Sequence, residues 1–480
     1  MKKNTFNRIC AAILAIVTVF LLIPAGMLPT IAEEPKIWNG TAAAGFAGGT
    51  GSEAKPYLIS TAEQLVFFAE QVNNGYSFAG KFVKLTNDIL LNDTTNWEQW
   101  ETSAPKNHWT AIGKFYDSKD YGFAGTFDGD EHIVSGIYIN TTSDFQGLFG
   151  FAHGATIQNL GVEKSFIKGS NFVGGVVGQN YYGSTVNNCY NTGEVSGTGN
   201  GVGGVVGLDE GTVSNCRNTG NVSGTKYVGG VVGFNCYGTV SDCYNTGTVS
   251  GGRDVGGVVG VSIGDPDTAT VINCYNTGEV SGVDHVGGVV GYNYRTVTNC
   301  YNTGTVSGTA YVGGVVGRND DDDGAVSNCY NTGTVSGDGY IGGVVGGGYG
   351  TVRNCYYLSG CAKDGNGTVQ YGINGADASG QTTGLTNTQM KQKKSFVGFD
   401  FETVWTMDGN PEYSNPELKD VPMVVPTGVK GDINGDDTID AFDYQMQGGK
   451  KMKKIILVAI ALVVVAACIT VVTVAFRRKR

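Results

Sequence analysis

The stretch "NCYNTGTVSG", Asn299–Gly308, decides the fold. Close copies begin at Asn188, Asn215, Asp242, Asn273 and Asn328, and a decayed one at Asn354. A second phrase, "VGGVVG", precedes each copy. It starts at Val173, Val202, Val228, Val255, Val286 and Val312, and recurs as "IGGVVG" at Ile341. The cysteines of the first phrase are Cys189, Cys216, Cys243, Cys274, Cys300, Cys329 and Cys355, spaced by 27, 27, 31, 26, 29 and 26 residues. A near-constant period of this length marks a solenoid or a propeller, one supersecondary unit per repeat. Each unit holds three short β-prone pieces, such as "GGVVG", "TVTNCYN" and "TVSG", and no helical pattern. Three short strands and tight turns fit one coil of a parallel β-helix, whereas a four-stranded propeller blade needs about 40 residues or more. The expected fold class is all-β, a parallel β-helix.

Side-chain directions follow from the exceptions within the repeat. The residue after the cysteine is Tyr190, Arg217, Tyr244, Tyr275, Tyr301, Tyr330 or Tyr356. An unpaired arginine does not sit in a dry core, so this position points outward and the neighbouring cysteine inward. Glu194, Asn221, Thr248, Glu279, Thr305 and Thr334 vary among polar types and also point out. Stacked coils place successive cysteines about 4.8 Å apart. That spacing brings adjacent Cα atoms within disulfide range, but seven cysteines cannot all pair and parallel side-chain vectors leave the Cβ atoms about 1 Å too far apart. Free buried thiols are therefore expected, with disulfides as the competing reading. Cys236 and Cys361 lie outside the ladder, and Cys355–Cys361 is the pair to test for a bond. The Asn before each cysteine suits a bend, because Asn tolerates the left-handed region and its amide can bond the same Asn one coil away. The six tyrosines should form an outer ridge interrupted by Arg217. Such a ridge can hold a sugar by stacking its apolar face on the rings, or its members can simply stack on one another.

The chain ends carry targeting signals. Lys2, Lys3 and Arg8 precede an apolar run from Ile9 to Ile23 and small residues to Ala32, so 1–32 reads as a secretory signal peptide. A second run, 455–476, is uncharged and spans about 33 Å as a helix, enough to cross a bilayer as a transmembrane helix. Residues 477–480 would form a cytoplasmic tail, leaving the bulk of a single-pass chain outside the cell membrane. Residues 33–449 hold 21 cations against 43 carboxylates, a net charge of −22. So acidic an ectodomain argues against a nucleic-acid partner.

An open coil exposes an unpaired sheet edge and needs a cap. In "STAEQLVFFAEQVNNG", Ser60 and Glu63 read as a capping box, Leu65, Val66, Phe68 and Val72 as an apolar stripe, and Gly75 as the stop. Thr386 and Gln389 repeat the capping arrangement near the other end. Between the first helix and the repeats, "WTAIG", "FAGTFDGDEHIVSGIYI" and "GLFGFAHGATIQNLGV" read as less regular rungs, with Leu160 in the cysteine slot. The repeats, together with "GLFG" at 147–150, resemble the GLUG motif of bacterial surface proteins. The entry "GSEAKPYLISTAEQL" and the exit "FDFETVWTMDGN" are similar to that group as well. The resemblance covers roughly 51–410. It implies a right-handed β-helix on an exported, in part adhesin-like protein, and it implies no catalytic residue. The expected organisation is an N-terminal cap with irregular rungs over 33–165, seven repeats over 166–361, and a C-terminal cap with linker over 362–425.

Some β-helices cleave polysaccharides with carboxylates or a basic residue on an outer face. Candidates would break the repeat, and the breaks are Arg217, Cys236, the insertion from Val261, His285 and Asp320–Asp323. His285 is expected to be exposed, and the Asp run to be a solvated loop. His108, His132, His153 and His285 form no metal spacing, and no "HExxH" occurs. Asp128, Asp130 and Glu131 lie in a turn for which the resemblance to the GLUG group implies a structural role. Near the C-terminus, "DINGDDTIDAFD" places Asp432, Asn434, Asp436, Thr438, Asp440 and Asp443 at positions 1, 3, 5, 7, 9 and 12 of an EF-hand loop for one calcium ion. The segment 426–447 resembles half of a type I dockerin. It departs from it by Asp437 at the usual Gly position and by a missing second segment, which argues against cohesin docking. The function expected is adhesion or surface binding, with a cell-surface or extracellular glycan or protein as ligand. The alternatives are a polysaccharide-degrading β-helix enzyme and a dockerin-type component of a degrading assembly.

Overall fold

The computed structural model describes residues 36–421, apart from 117–118, 266–267, 321–322, 375–376, 378 and 408–414. The expected signal peptide, calcium loop, membrane span and tail lie outside the described residues. Among the described residues no helix is long and apolar enough to cross a membrane.

The chain winds into a parallel β-solenoid of about eleven turns with three sheets of 20, 13 and 8 strands. In one repeat the chain visits the 8-stranded sheet (Val206–Asp209), the 20-stranded sheet (Thr212–Ser214 and Arg217–Asn218) and the 13-stranded sheet (Val222–Gly229). Registers are locked by residue type. Leu160 pairs with Cys189, as its slot required, and Tyr190, Arg217, Tyr244, Tyr275, Tyr301, Tyr330 and Tyr356 follow one another in register. The extra residues before Cys274 are accommodated between Val259–Ile263 and Thr270–Ile272, outside the ladders.

The interior of the repeats is valine and cysteine. The seven ladder cysteines are all free and at most 1 % exposed. Cys361 is also free, and its sulfur accepts from Asn331 Nδ2 at 3.4 Å rather than bonding Cys355. The Asn or Asp before each cysteine makes the bend, with φ of 50–55° from Asn188 to Asn354. Asn188 Nδ2 donates to Asn159 Oδ1 at 2.8 Å, and Asn299 Nδ2 to Asn273 Oδ1 at 3.3 Å. A second, fully buried ladder arises from the Asn after each tyrosine. Asn218 Nδ2 donates to Asn245 Oδ1, Asn245 to Asn276 and Asn276 to Asn302, each at 2.8 Å. Each amide also reaches the carbonyl two residues on, as Asn245 does at Gly247, so no buried donor is left over. The glycines of "VGGVVG" admit this ladder: a methyl at Gly204 would stand 2.2 Å from Gly230 O and 2.4 Å from Asn218 Cγ.

The ends differ from the middle. Helix α1, Ala62–Asn73, buries Leu65, Phe68, Ala69 and Val72 against the first rungs. Its capping is not the expected Ser60–Glu63 box. Thr61 is the N-cap, and Gln64 Oε1 instead accepts from Ser60 N at 2.8 Å and Ser60 Oγ at 3.0 Å, one residue further along. At the other end, helix α2, Asn387–Met390, carries the expected Thr386–Gln389 capping box. The solenoid itself runs past residue 361. Ala362–Asp364 pairs with Val335–Gly337, and Thr382–Leu385 with Cys355–Leu358.

Candidate functional site

The tyrosine column lies opposite the cysteines, as the repeat required, and its rings stack. Tyr244–Tyr275, Tyr275–Tyr301 and Tyr301–Tyr330 centroids are 4.9, 4.9 and 5.0 Å apart, with interplanar angles of 0°, 10° and 4°. The column is not an open ridge. Tyr275, Tyr301 and Tyr330 are 0 % exposed and Tyr356 5 %. The C-terminal segment lies over them and packs Met390, Phe396, Phe399, Trp405 and Leu418 on the rings. Tyr330 Oη donates to Pro416 O at 2.6 Å and Tyr356 Oη to Val397 O at 2.9 Å. A sugar cannot reach these rings while the segment is in place. Phe396, Phe399 and Trp405 are buried against the column, and removing that apolar surface from water favours the covering. Only Tyr190, Arg217 and Tyr244 remain half-buried. The Arg217 guanidinium sits 4.2 Å over the Tyr190 ring, and Tyr190 Oη donates to Glu163 Oε1 at 2.6 Å. Burial, followed by the Glu163 charge, pushes the Tyr190 phenol up.

A second corner, immediately before "VGGVVG", was missed in the sequence. Phe172, Tyr227, Asp254, His285, Tyr311 and Tyr340 stand there with φ of 53–58°. His285 is not exposed but 1 % accessible, and its Nδ1 lies 2.6 Å from Asp254 Oδ1. Its Nε2 faces Arg318 at 3.4 Å and Asp284 Oδ1 at 3.5 Å. Arg318 in turn lies 4.7 Å from the Tyr311 ring and pairs with Asp320 at 2.7 Å. Asp320 also accepts from Tyr292 Oη at 2.8 Å, and Asp323 lies 3.8 Å from Arg295. The acid run is therefore partly engaged in ion pairs rather than simply solvated. Protein groups hold both ring nitrogens of His285 and its ring is buried, so the cluster staples this corner. The turn at Asp128 is structural, as expected: Asp128 Oδ1 accepts from Asp130 N at 2.9 Å and Asn159 Nδ2 at 3.0 Å.

One buried ladder contains an acid. In the 8-stranded sheet, Asn180, Asp209 and Asn235 are in register and 0 % exposed. Asn180 Nδ2 donates to Asp209 Oδ1 at 2.7 Å, and Gly211 N at 3.1 Å. Asp209 Oδ2 and Asn235 Oδ1, both acceptors, have no protein partner. Burial pushes the Asp209 carboxyl up to about 7. Among the described residues no group of His, Cys, Asp or Glu is arranged to hold a metal ion.

Four segments, 169–196, 224–250, 282–307 and 308–336, match the sequence family described as the GLUG motif. Halomucin of Haloquadratum walsbyi is 31 % identical over 194 residues, which is 40 % of this chain and 2 % of halomucin. A protein of Evansella cellulosilytica named as a Gly-rich membrane protein is 31 % identical over 141 residues, 28 % of this chain and 14 % of its own length. The chain thus spans a small part of the length of these relatives. Among solved structures, one described as an immunoglobulin A1 protease from Bacteroides ovatus aligns over 78 % of this chain and 95 % of its own, with 19 % identity and a TM-score of 0.37.

Proposed function

We propose that this GLUG-repeat chain is a bacterial cell-surface protein, held by a single C-terminal span, whose right-handed β-solenoid binds an extracellular glycan or protein ligand in adhesion. The observation that carries the reading is the construction of the repeats. Outward side chains are locked in register over many turns, a construction that suits long lateral faces for binding. Mucin-like and membrane-type relatives agree with a surface location. The calcium loop at Asp432–Asp443 belongs to the same proposal as a weak extracellular site beside the membrane. Calcium calorimetry on a peptide of residues 426–447 tests that part, with Asp432→Ala as control.

The main test is a glycan array with the full-length chain in detergent micelles, run beside a degradation assay on the same polysaccharides. Retention without shortening of the glycan supports adhesion. Release of new chain ends replaces adhesion by the polysaccharide-degrading reading, and neither retention nor release removes the glycan as ligand.

A further inference from the structure

The solenoid's turns are mostly tight, but a few connections are long. Between the strand Ile89–Leu90 and Trp109 the chain makes an excursion whose regular structure is a single 3-10 turn, Trp97–Gln99. Connections of this length in compact folds are usually functional or disordered. This one is held firmly at its base by two buried amides. Asn92 Nδ2 donates to Asn107 O at 2.8 Å and Gly136 O at 3.0 Å, and Asn92 Oδ1 accepts from Asn107 N at 3.0 Å. Asn107 Nδ2 ties the loop to Trp38 O at 2.8 Å and Leu91 O at 2.9 Å. At its tip, Trp100 is 4 % exposed and meets Tyr138 edge-on at 5.9 Å. The loop is therefore preorganised, and beyond its tie to Trp38 O it and the segment Ile37–Trp38 form the walls of one hollow.

Between them lies a cleft of about 440 Å³. That volume falls in the range of small-molecule sites. Its lining includes the apolar Ile37, Trp38 and Trp100 and the polar Asn96, Gln99 and Lys106. Ile37 is 49 % exposed, a large aliphatic side chain left open to water beside an indole. The side-chain amides of Asn96 and Gln99 make no hydrogen bond among the described residues. Each carries a donor and an acceptor, the pairing that a sugar hydroxyl, itself both, can satisfy. The half-exposed indole of Trp38, beside the open Ile37, matches the apolar face of a pyranose, while Trp100 is buried behind the cleft. The charges on the rim are one of each sign, and Asp93 is engaged by Thr95 N at 3.0 Å and Thr95 Oγ1 at 2.6 Å. Nothing there selects an anion.

We propose that this cleft is a binding site for a neutral saccharide, which rests on the surface-binding reading above and locates its contact at the N-terminal rungs instead of the tyrosine column. The test uses the full-length chain in micelles with cellobiose, maltose and chitobiose as probes, read by saturation-transfer NMR, and the glycan array as a second readout. Trp38→Ala should weaken retention of the bound saccharide at least tenfold, and Gln99→Ala about three- to tenfold, while Tyr244→Ala leaves it unchanged. Trp38 also holds Thr41 O through Nε1 at 2.7 Å, so its loss can perturb the entry segment. If the melting curve of Trp38→Ala shifts, the exposed Gln99→Ala decides, together with recovery of binding in Trp38→Phe. Glycan retention that survives both substitutions overturns the cleft and leaves the adhesion reading standing. Failure of the unaltered chain to retain any saccharide overturns both.

Discussion

In the first rungs the interior is filled by rings. Phe68 of α1 meets Phe78, Phe123, Phe127 and Phe149 at centroid distances of 5.0, 5.4, 5.7 and 6.4 Å. From Val173 onward the same interior is valine and cysteine in repeating columns. Both interiors are closed to solvent, but they are closed differently. Rings of one size and several orientations close an end, where a helix must meet a sheet edge. Small branched side chains tile at the strand spacing, and each rung then needs nothing but another like itself. The first solution is specific to its place, and the second can be lengthened or shortened by a rung.

The comparison breaks most sharply at Phe68. Phe68→Ala removes a ring that meets these four and Phe46, at 6.5 Å, and should lower stability by about 3–5 kcal/mol. Cys274→Ala deletes only a sulfur from a column of like neighbours and should cost about 1–2 kcal/mol. Urea unfolding of the full chain would measure both, with hydrogen exchange assigning the loss to the end or the middle, because repeat arrays need not unfold in one step. Equal losses at the two sites would erase the distinction between the two interiors.

The acid in the repeats is the next largest effect. Asp209 occupies a slot held by Asn in neighbouring rungs, and burial pushes its carboxyl from 3.8 up to about 7. The folded chain therefore keeps a proton that the unfolded chain releases. A raised folded value means that stability is greatest below about pH 4, falls as pH rises from 4 through 7, and is flat above. The total loss is on the order of 4 kcal/mol at most. With the proton on Oδ2, the carboxyl can donate to the otherwise unpartnered Asn235 Oδ1 and complete the ladder. Asp209→Asn supplies that donor permanently and should remove the slope between pH 4 and 7. A slope that persists in Asp209→Asn assigns the titration to other groups.

These two regions were not equally legible in the sequence. In the repeats, one substitution was enough to orient a whole strand: Arg217 in a tyrosine slot put the tyrosines outside and the cysteines inside, and the structure agrees. Repetition also marked the Asn bends and placed Leu160. It could not show what lies on top of a column. The segment with Phe396, Phe399 and Trp405 has an aromatic spacing that belongs to no repeat, and its contacts with Tyr275–Tyr356 cross many coils of sequence. His285 failed for a related reason. A buried His needs Asp254 one rung before it and Arg318 one rung after, and each of these looks like an idiosyncrasy when read alone. The cleft at Trp38 joins an entry segment to a loop, neither of which has a periodic signal.

Thiol chemistry sharpens the view of the middle. Burial pushes the thiols of Cys189, Cys243, Cys300 and Cys355 up. Against their own burial, hydrogen bonds from these neighbours pull Cys216, Cys274 and Cys329 down. It is therefore closure to reagent, at most 1 % exposure, that protects the whole ladder. Cys236, half-buried on the 8-stranded sheet, is pushed up to about 11, so it also reacts more slowly than a free thiol. Maleimide labelling of the native chain, mapped by peptide mass spectrometry, should mark Cys236 before any ladder cysteine and the ladder only after unfolding. Simultaneous native labelling of the ladder would contradict the inward orientation.

The smallest effect is expected at Arg217, where the tyrosine column interrupts itself. Arg217 sits in register between Tyr190 and Tyr244 and lies 4.2 Å over the Tyr190 ring. A cation over a half-exposed ring contributes about 0.5–1 kcal/mol, and a stacked ring pair about 0.5–1.5 kcal/mol. Arg217→Tyr exchanges one for the other and would extend an unbroken stack from Tyr190 to Tyr330. The two terms nearly cancel, so the melting temperature should stay within a few degrees of the parent, with the change below about 1 kcal/mol. The covered end of the column behaves differently: at Tyr301, 0 % exposed beneath Trp405, the same column carries the packing of the C-terminal segment. Tyr301→Arg would bury a guanidinium there and should cost several kcal/mol. A similar small effect at both positions would mean that the segment does not cover the column in solution, and the tyrosines would again be open to a ligand.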